Sequence, residues 1–196
     1  MAQALELTGE DAAAASDADV LTLAAARRGD HRAFERLYRR HAPDVHGLCL
    51  RMTGRRDVAE DCTQEAFIAA WRALPRFEAR SRFSTWMHRI AVNAVLARRR
   101  GLAATGGQAA VPIEDIEPLL AESADAAGPL DLERAIERLP EGARHVLVLV
   151  GLYGHSHEEA GEMLGIASGT SKAQLHRARQ LLARQLGLDP QQDGAS

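Results

Sequence analysis

Aromatic residues make up only 4% of this 196-residue chain. Sheet cores draw on Val, Ile and Tyr, so this scarcity beside abundant Ala, Leu and Arg points to small helical units. Cysteine is nearly absent. Cys49 and Cys62 are too few for a disulfide scaffold, and both fall at apolar positions of helical periodicity, where they serve as small core hydrophobes. Together with His41 and His46 they match no standard zinc-ligand spacing. No apolar run approaches the roughly 20 residues of a membrane span, and the acidic, Ala-rich start lacks the form of a signal peptide. A cytoplasmic protein without membrane insertion is expected. There is also no Gly-rich phosphate loop, nucleophile motif or metal triad. His157-Glu158-Glu159 has no second histidine at the metalloprotease offset. These absences point away from an enzyme, and no cofactor or metal is expected.

What is present is charge, unevenly placed. The net charge is only −3, yet residues 51–100 hold 11 Arg against 5 acids and residues 101–140 hold 2 Arg against 8 acids. A basic block attracts phosphate, whereas an acidic block is repelled by it or mimics it.

Helical signals divide the chain into two units. A polar Ala-rich tail covers 1–18. Asp19 and Asp30 can cap successive helices ending near Gly29 and Gly54, the second carrying Phe34, Leu37 and Tyr38 on one face and perturbed by Pro43. Asp57 can cap a third helix, with Val58, Cys62, Ala66, Ala69 and Ala70 as its buried stripe and Pro75 as its stop. A fourth runs from about Ser84 to Arg100. The expectation is therefore an all-α fold: a four-helix N-terminal bundle over 19–100, a flexible acidic linker over 101–129, a C-terminal helix-turn-helix domain over 130–187 and a tail over 188–196.

Two segments carry the function. From Phe77 to Asn93 aromatics alternate with arginines. A ring stacks on any unstacked base while a guanidinium meets the phosphate, so the loop with Phe77, Arg80, Arg82 and Phe83 suits a melted strand, aided by Arg89. Trp86 and Ile90, at helical spacing from it, read as core. The second segment, Ser156–Arg184, reads as a helix-turn-helix. Ser156 and Glu159 form a capping box, Gly165 makes the turn, and the last helix fits a major groove. On that helix Lys172, His176 and Arg179 share an arc of about 60° at about 100° per residue. Lys172 and Arg179 suit phosphates, Thr170, Gln174 and His176 suit bases or sugars, and Ser168 and Arg177 join the same duplex-facing set. Leu175, Ala178 and Leu182 face the core.

With these segments quoted, the strings AEDCTQEAFIAAWRAL, RFSTWMHRIAVN, IERLPEGARHVLVLV and GTSKAQLHRAR, in this order, make the chain resemble the extracytoplasmic-function sigma factors of bacterial RNA polymerase from about Asp19 to Leu186. The resemblance implies that the ridge of Asp57, Glu60, Asp61, Gln64 and Glu65, with Phe67, grips core polymerase. It places minus-ten reading on the Phe77–Phe83 loop and the next helix, including Trp86 and Asn93, and reading of an upstream duplex element on the last helix. It also implies that the linker stretch Glu114–Asp125 threads the polymerase interior, and that an anti-sigma factor covers both domains. The partners implied are thus core RNA polymerase, promoter DNA and an anti-sigma factor.

Several positions depart from the family pattern. His155, His157 and Ala160 stand where apolar residues are usual. Gly161 replaces a common alanine, at a cost to helix stability of roughly 1 kcal/mol. Ser171 replaces a usual valine and Gln174 a frequent arginine. These predict a second domain that is less stable or binds DNA more weakly. The alternative function is a stand-alone helix-turn-helix regulator, which would leave the Asp57–Asn93 pattern without a purpose.

Overall fold

The computed structural model describes residues 20–104 and 131–188. The tail 1–18, the cap at Asp19, the linker over 105–129 and the terminal tail beyond Leu188 lie outside the described residues. Within them the chain is helical, with no strand among the described residues. The first unit comprises α1 (20–27), α2 (His31–Thr53), α3 (Arg56–Ala73), a 3-10 turn (Leu74–Arg76) and α4 (Phe83–Ala104). The second comprises α5 (Asp131–Glu137), α6 (Glu141–Val146), a π-helical turn (Leu147–Leu152), α7 (His157–Leu164) and α8 (Ser168–Gln185).

Local chemistry sets most boundaries. The Asp30 carboxylate accepts from the N–H groups of Arg32 and Ala33, and Gly54, left-handed at φ 66°, ends α2. Pro43 lies inside α2 on its exposed side without ending it. Only one backbone donor is lost there, and Leu37 and Val45, both buried, anchor the helix on either side. Asp57 does not cap α3. The cap position is Arg55, whose N–H donates to Thr53 Oγ1, so Asp57 falls in the first turn, where an acid still suits the positive helix end. Ser84 likewise sits within the first turn of α4, since helical bonding already begins with Trp86 N–H donating to Arg82 O. At its other end α4 runs to Ala104, four residues into the expected linker.

α3 packs through a seam of small side chains. Ala59, Cys62, Ala66 and Ala70 are fully buried, letting α2 and α4 approach closely, whereas Ala69, expected in this stripe, is exposed. Ala26, Ala33, Leu37, Leu74 and Phe77 form a smaller cluster at one end. The main core does not stop at the first unit. Leu48 and Met52 of α2 and Met87 and Val95 of α4 are continuous with Ile136, Val146, Leu149, Met163 and Leu175 of the second. The two helical units thus share one core, and truncating a fully buried leucine such as Leu48 or Leu149 should cost about 2–5 kcal/mol.

Candidate nucleic-acid interface

The acidic ridge stands on the outer face of α3, with Asp57, Glu60, Asp61, Gln64 and Glu65 all exposed. Its charges are already paired. Arg98 of α4 reaches Asp61 at 2.6 Å and Glu65 at 3.3 Å, Arg56 meets Glu60 at 3.0 Å, and Arg55 meets Asp57 at 2.6 Å. The Arg55 hydrogen bond holds the Asp57 carboxyl below the usual carboxylate range. Phe67 is not part of this exposed surface. It is 4% exposed, with Phe34 and Tyr38 rings edge-on at 6.4 and 4.7 Å, so it supports the ridge from beneath.

The arginine-aromatic segment divides in the same way. Arg80, Arg82, Arg89 and Asn93 are exposed, and Arg80 pairs with Glu78. Phe77, however, is buried, its ring 4.7 Å from Trp86 and 6.2 Å from Phe83, and so it is unavailable for stacking on a base. Phe83 and Trp86 are half-buried, each offering part of a ring. Between Phe77 and Phe83 the chain turns through Ala79 at φ 55°, a left-handed conformation uncommon for a residue with a Cβ. The hydrophobic anchors at both ends hold that turn in place.

The helix-turn-helix is built as its sequence indicates. Ser156 and Glu159 make both capping-box hydrogen bonds, and Gly165 takes φ 71°. Lys172, His176 and Arg179 are exposed along α8, Ser168, Thr170, Gln174 and Arg177 are half-buried, and Leu175 and Ala178 are buried. Gly161 proves to be a requirement of the motif rather than a weak point. A Cβ there would lie 2.7 Å from the backbone oxygen of Ile166, so only glycine lets α7 meet the turn so closely. Ser171 is fully buried, with its hydroxyl 2.9 Å from His157 Nδ1.

In this arrangement an exposed acidic ridge and an exposed arginine loop occupy one helical unit, while a basic groove-sized helix occupies the other. Residues 37–105 match sigma-70 region 2 and residues 130–182 match sigma-70 region 4. The chain is 39% identical over 173 residues to the ECF RNA polymerase sigma factor SigM of Mycobacterium tuberculosis, covering 88% of this chain and 85% of that one. The chain belongs to the extracytoplasmic-function sigma factors. It is also 34% identical to SigW of Bacillus subtilis, over 82% of this chain and 92% of the relative. Among solved structures it is similar to the sigma factor RpoE in complex with the anti-sigma factor NepR from Bartonella quintana, with TM-score 0.60 and 29% identity over 80% of this chain and 98% of that chain. It is similar as well to CnrH in complex with the cytosolic domain of CnrY, with TM-score 0.59 and 26% identity over 88% of this chain and 99% of that chain. The region 2 match contains both the ridge and the loop, and the region 4 match contains α7 and most of α8. As a sigma factor the chain is a transcription initiation protein, and among the described residues no helix is long and apolar enough to cross a membrane.

Sequence reasoning missed the residues that join the two units. His88 Nδ1 lies 3.0 Å from His155 Nε2, and His88 Nε2 lies 2.8 Å from Asp44 Oδ2. The Tyr153 hydroxyl donates to the Asp44 carbonyl at 3.1 Å. Arg89 pairs with Glu162, Arg51 with Glu133 and Arg99 with Glu141. His145, fully buried, donates from Nε2 to Met52 O, and burial followed by the neighbouring Arg144 pushes its pKa down to about 3. Burial and then His88 lower that of His155. Burial followed by Asp44 raises the Tyr153 phenol to about 12. Thus part of the basic block on the first unit is met by acids of the second.

Proposed function

We propose that this chain is an alternative sigma factor that binds core RNA polymerase, recognises a two-part promoter and directs its melting, working in the cytoplasm and performing no covalent chemistry. The polymerase contact is the α3 ridge, centred on Asp61 and Gln64 with Asp57, Glu60 and Glu65 beside them and Phe67 beneath. The melted element is read by Arg80, Arg82, Phe83 and Trp86 at the loop and by Arg89 and Asn93 on α4, where guanidinium groups meet the strand and partly exposed rings meet bases. The duplex element is read by α8 through Ser168, Thr170, Lys172, Gln174, His176, Arg177 and Arg179. The observation that carries this reading is the pairing of the two sigma regions in one chain, each with polar residues exposed or half-buried over a buried framework. An anti-sigma partner is part of the proposal, since RpoE is found bound to one.

Co-purification with bacterial core RNA polymerase tests it, comparing the wild-type chain with Asp61→Arg plus Gln64→Ala. Stoichiometric binding that the double substitution abolishes is the expected result. A folded wild-type chain that does not bind would overturn the reading.

A further inference from the structure

Gln180 has no place in the duplex-facing set, yet it holds a member of that set. It stands one turn beyond His176 on α8, four residues on, and its amide Nε2 lies 3.0 Å from His176 Nε2. At about 100° per residue the two positions differ by about 40° around the helix, so their side chains are neighbours on one face. That face lies opposite the core. Leu175 and Ala178 are buried, whereas Lys172, His176, Arg179 and Gln180 are exposed.

The pairing fixes where the ring hydrogen sits. An amide nitrogen carries hydrogens and only donates, so His176 Nε2 must accept. The ring hydrogen is then on Nδ1, at the other nitrogen of the imidazole. Without the amide both tautomers are open to the ring, and it can offer a donor or an acceptor to whatever it meets. Held at Nε2, it offers a donor only.

We propose that Gln180 is a positioning residue for duplex recognition: it holds His176 so that Nδ1–H donates to an acceptor on a base edge in the major groove. The inference rests on α8 being the duplex-reading helix, and it adds what chemistry one of its side chains selects. Guanine is the preferred base, because its O6 and N7 are adjacent acceptors in that groove, and thymine O4 comes second. Cytosine is rejected, since its N4 amino group would set donor against donor. Lys172 and Arg179 on the same face suit phosphates, which carry no base identity, so Gln180 governs selectivity rather than overall affinity.

A pair that served only the helix would change stability and leave base choice untouched, and selection experiments separate the two roles. The full chain, bound to bacterial core RNA polymerase, selects from duplexes with a randomised upstream element, and the bound sequences are read. Wild type is compared with His176→Ala, Gln180→Met and Gln180→Lys. Methionine keeps the length and helix propensity of glutamine without the amide. Wild type is expected to select guanine at one position. His176→Ala and Gln180→Met should each lose that preference several-fold at that position alone, with the salt dependence of binding unchanged. Gln180→Lys should restore it, because an ammonium also only donates to Nε2. Adding Gln180→Met to His176→Ala should alter base choice no further. Unchanged base choice in Gln180→Met, or cytosine at the position that depends on His176, would overturn the proposal. A wild-type chain that binds polymerase but selects no upstream sequence would overturn the duplex-reading role of α8 as well, whereas selection indifferent to Gln180 removes the positioning role alone.

Discussion

His157 Nδ1 lies 2.9 Å from Ser171 Oγ, joining the first helix of the helix-turn-helix to a buried residue in the first turn of the second. Two departures from the family pattern are therefore one feature. A histidine and a serine, each polar where an apolar residue is usual, satisfy one another across the motif.

This pairing predicts non-additive substitutions. Ser171→Val alone leaves the half-buried ring nitrogen without its partner, and His157→Leu alone strands the buried hydroxyl. Each should cost on the order of 1–3 kcal/mol. The double substitution replaces both by apolar groups and should recover most of that loss. A double-mutant cycle by denaturant unfolding measures the coupling, and simple additivity would contradict the pairing.

Gly161→Ala should destabilise the chain even though alanine favours a helix interior by about 1 kcal/mol. The added methyl meets a backbone oxygen at 2.7 Å, which cannot swing aside as a side chain can. Overpacking of this kind costs typically 1–3 kcal/mol, so a lowered melting temperature is expected.

Acid should loosen the junction of the two units. His155 and His145 both have pKa values lowered from 6.5, the latter to about 3, chiefly because burial disfavours their charged forms. The opened chain therefore binds protons more readily than the closed one. The closed form keeps its full advantage above pH 6.5 and loses it progressively as the pH falls below that value. Scattering or thermal melts from pH 7.5 to 5 should show this loss, and His155→Asn should make the dependence shallower while His145 maintains the remainder.

Both cysteines are fully buried, and burial pushes the Cys49 thiol up to about 12, so little reactive thiolate forms. A thiol reagent at pH 8 should label neither Cys49 nor Cys62 in the native chain and both in denaturant. Rapid native labelling would show that the α2–α3 seam opens.

If α8 reads duplex DNA, Lys172→Ala should weaken binding about equally for all sequences and reduce the log–log salt slope by about 1, as loss of one phosphate contact requires. Gln174→Ala should instead relax sequence preference. Titrations of promoter and random duplexes at several salt concentrations separate the two effects.

The sequence by itself determined much of the local structure, though not the helix starts expected at Asp57 and Ser84. Asp30 and Gly54 bound α2, Ser156, Glu159 and Gly165 shape the helix-turn-helix, and the spacing of Leu175 and Ala178 selects the buried side of α8. These signals act within a few residues and can be read from a string. Exposure of the Asp61–Gln64 ridge and of the Lys172–Arg179 face followed the same periodicity. Tertiary structure decided what Phe67 and Phe77 do, because an aromatic at helical spacing suits a core and a binding surface equally, and the neighbouring rings settle which it becomes. It also decided that Gly161 is required, since the clashing oxygen belongs to the following turn. The His88–His155 and Tyr153–Asp44 contacts had no signal in the sequence at all. Their partners lie 67 and 109 residues apart, so no local periodicity links them, and only the packing of one helical unit on the other brings them together.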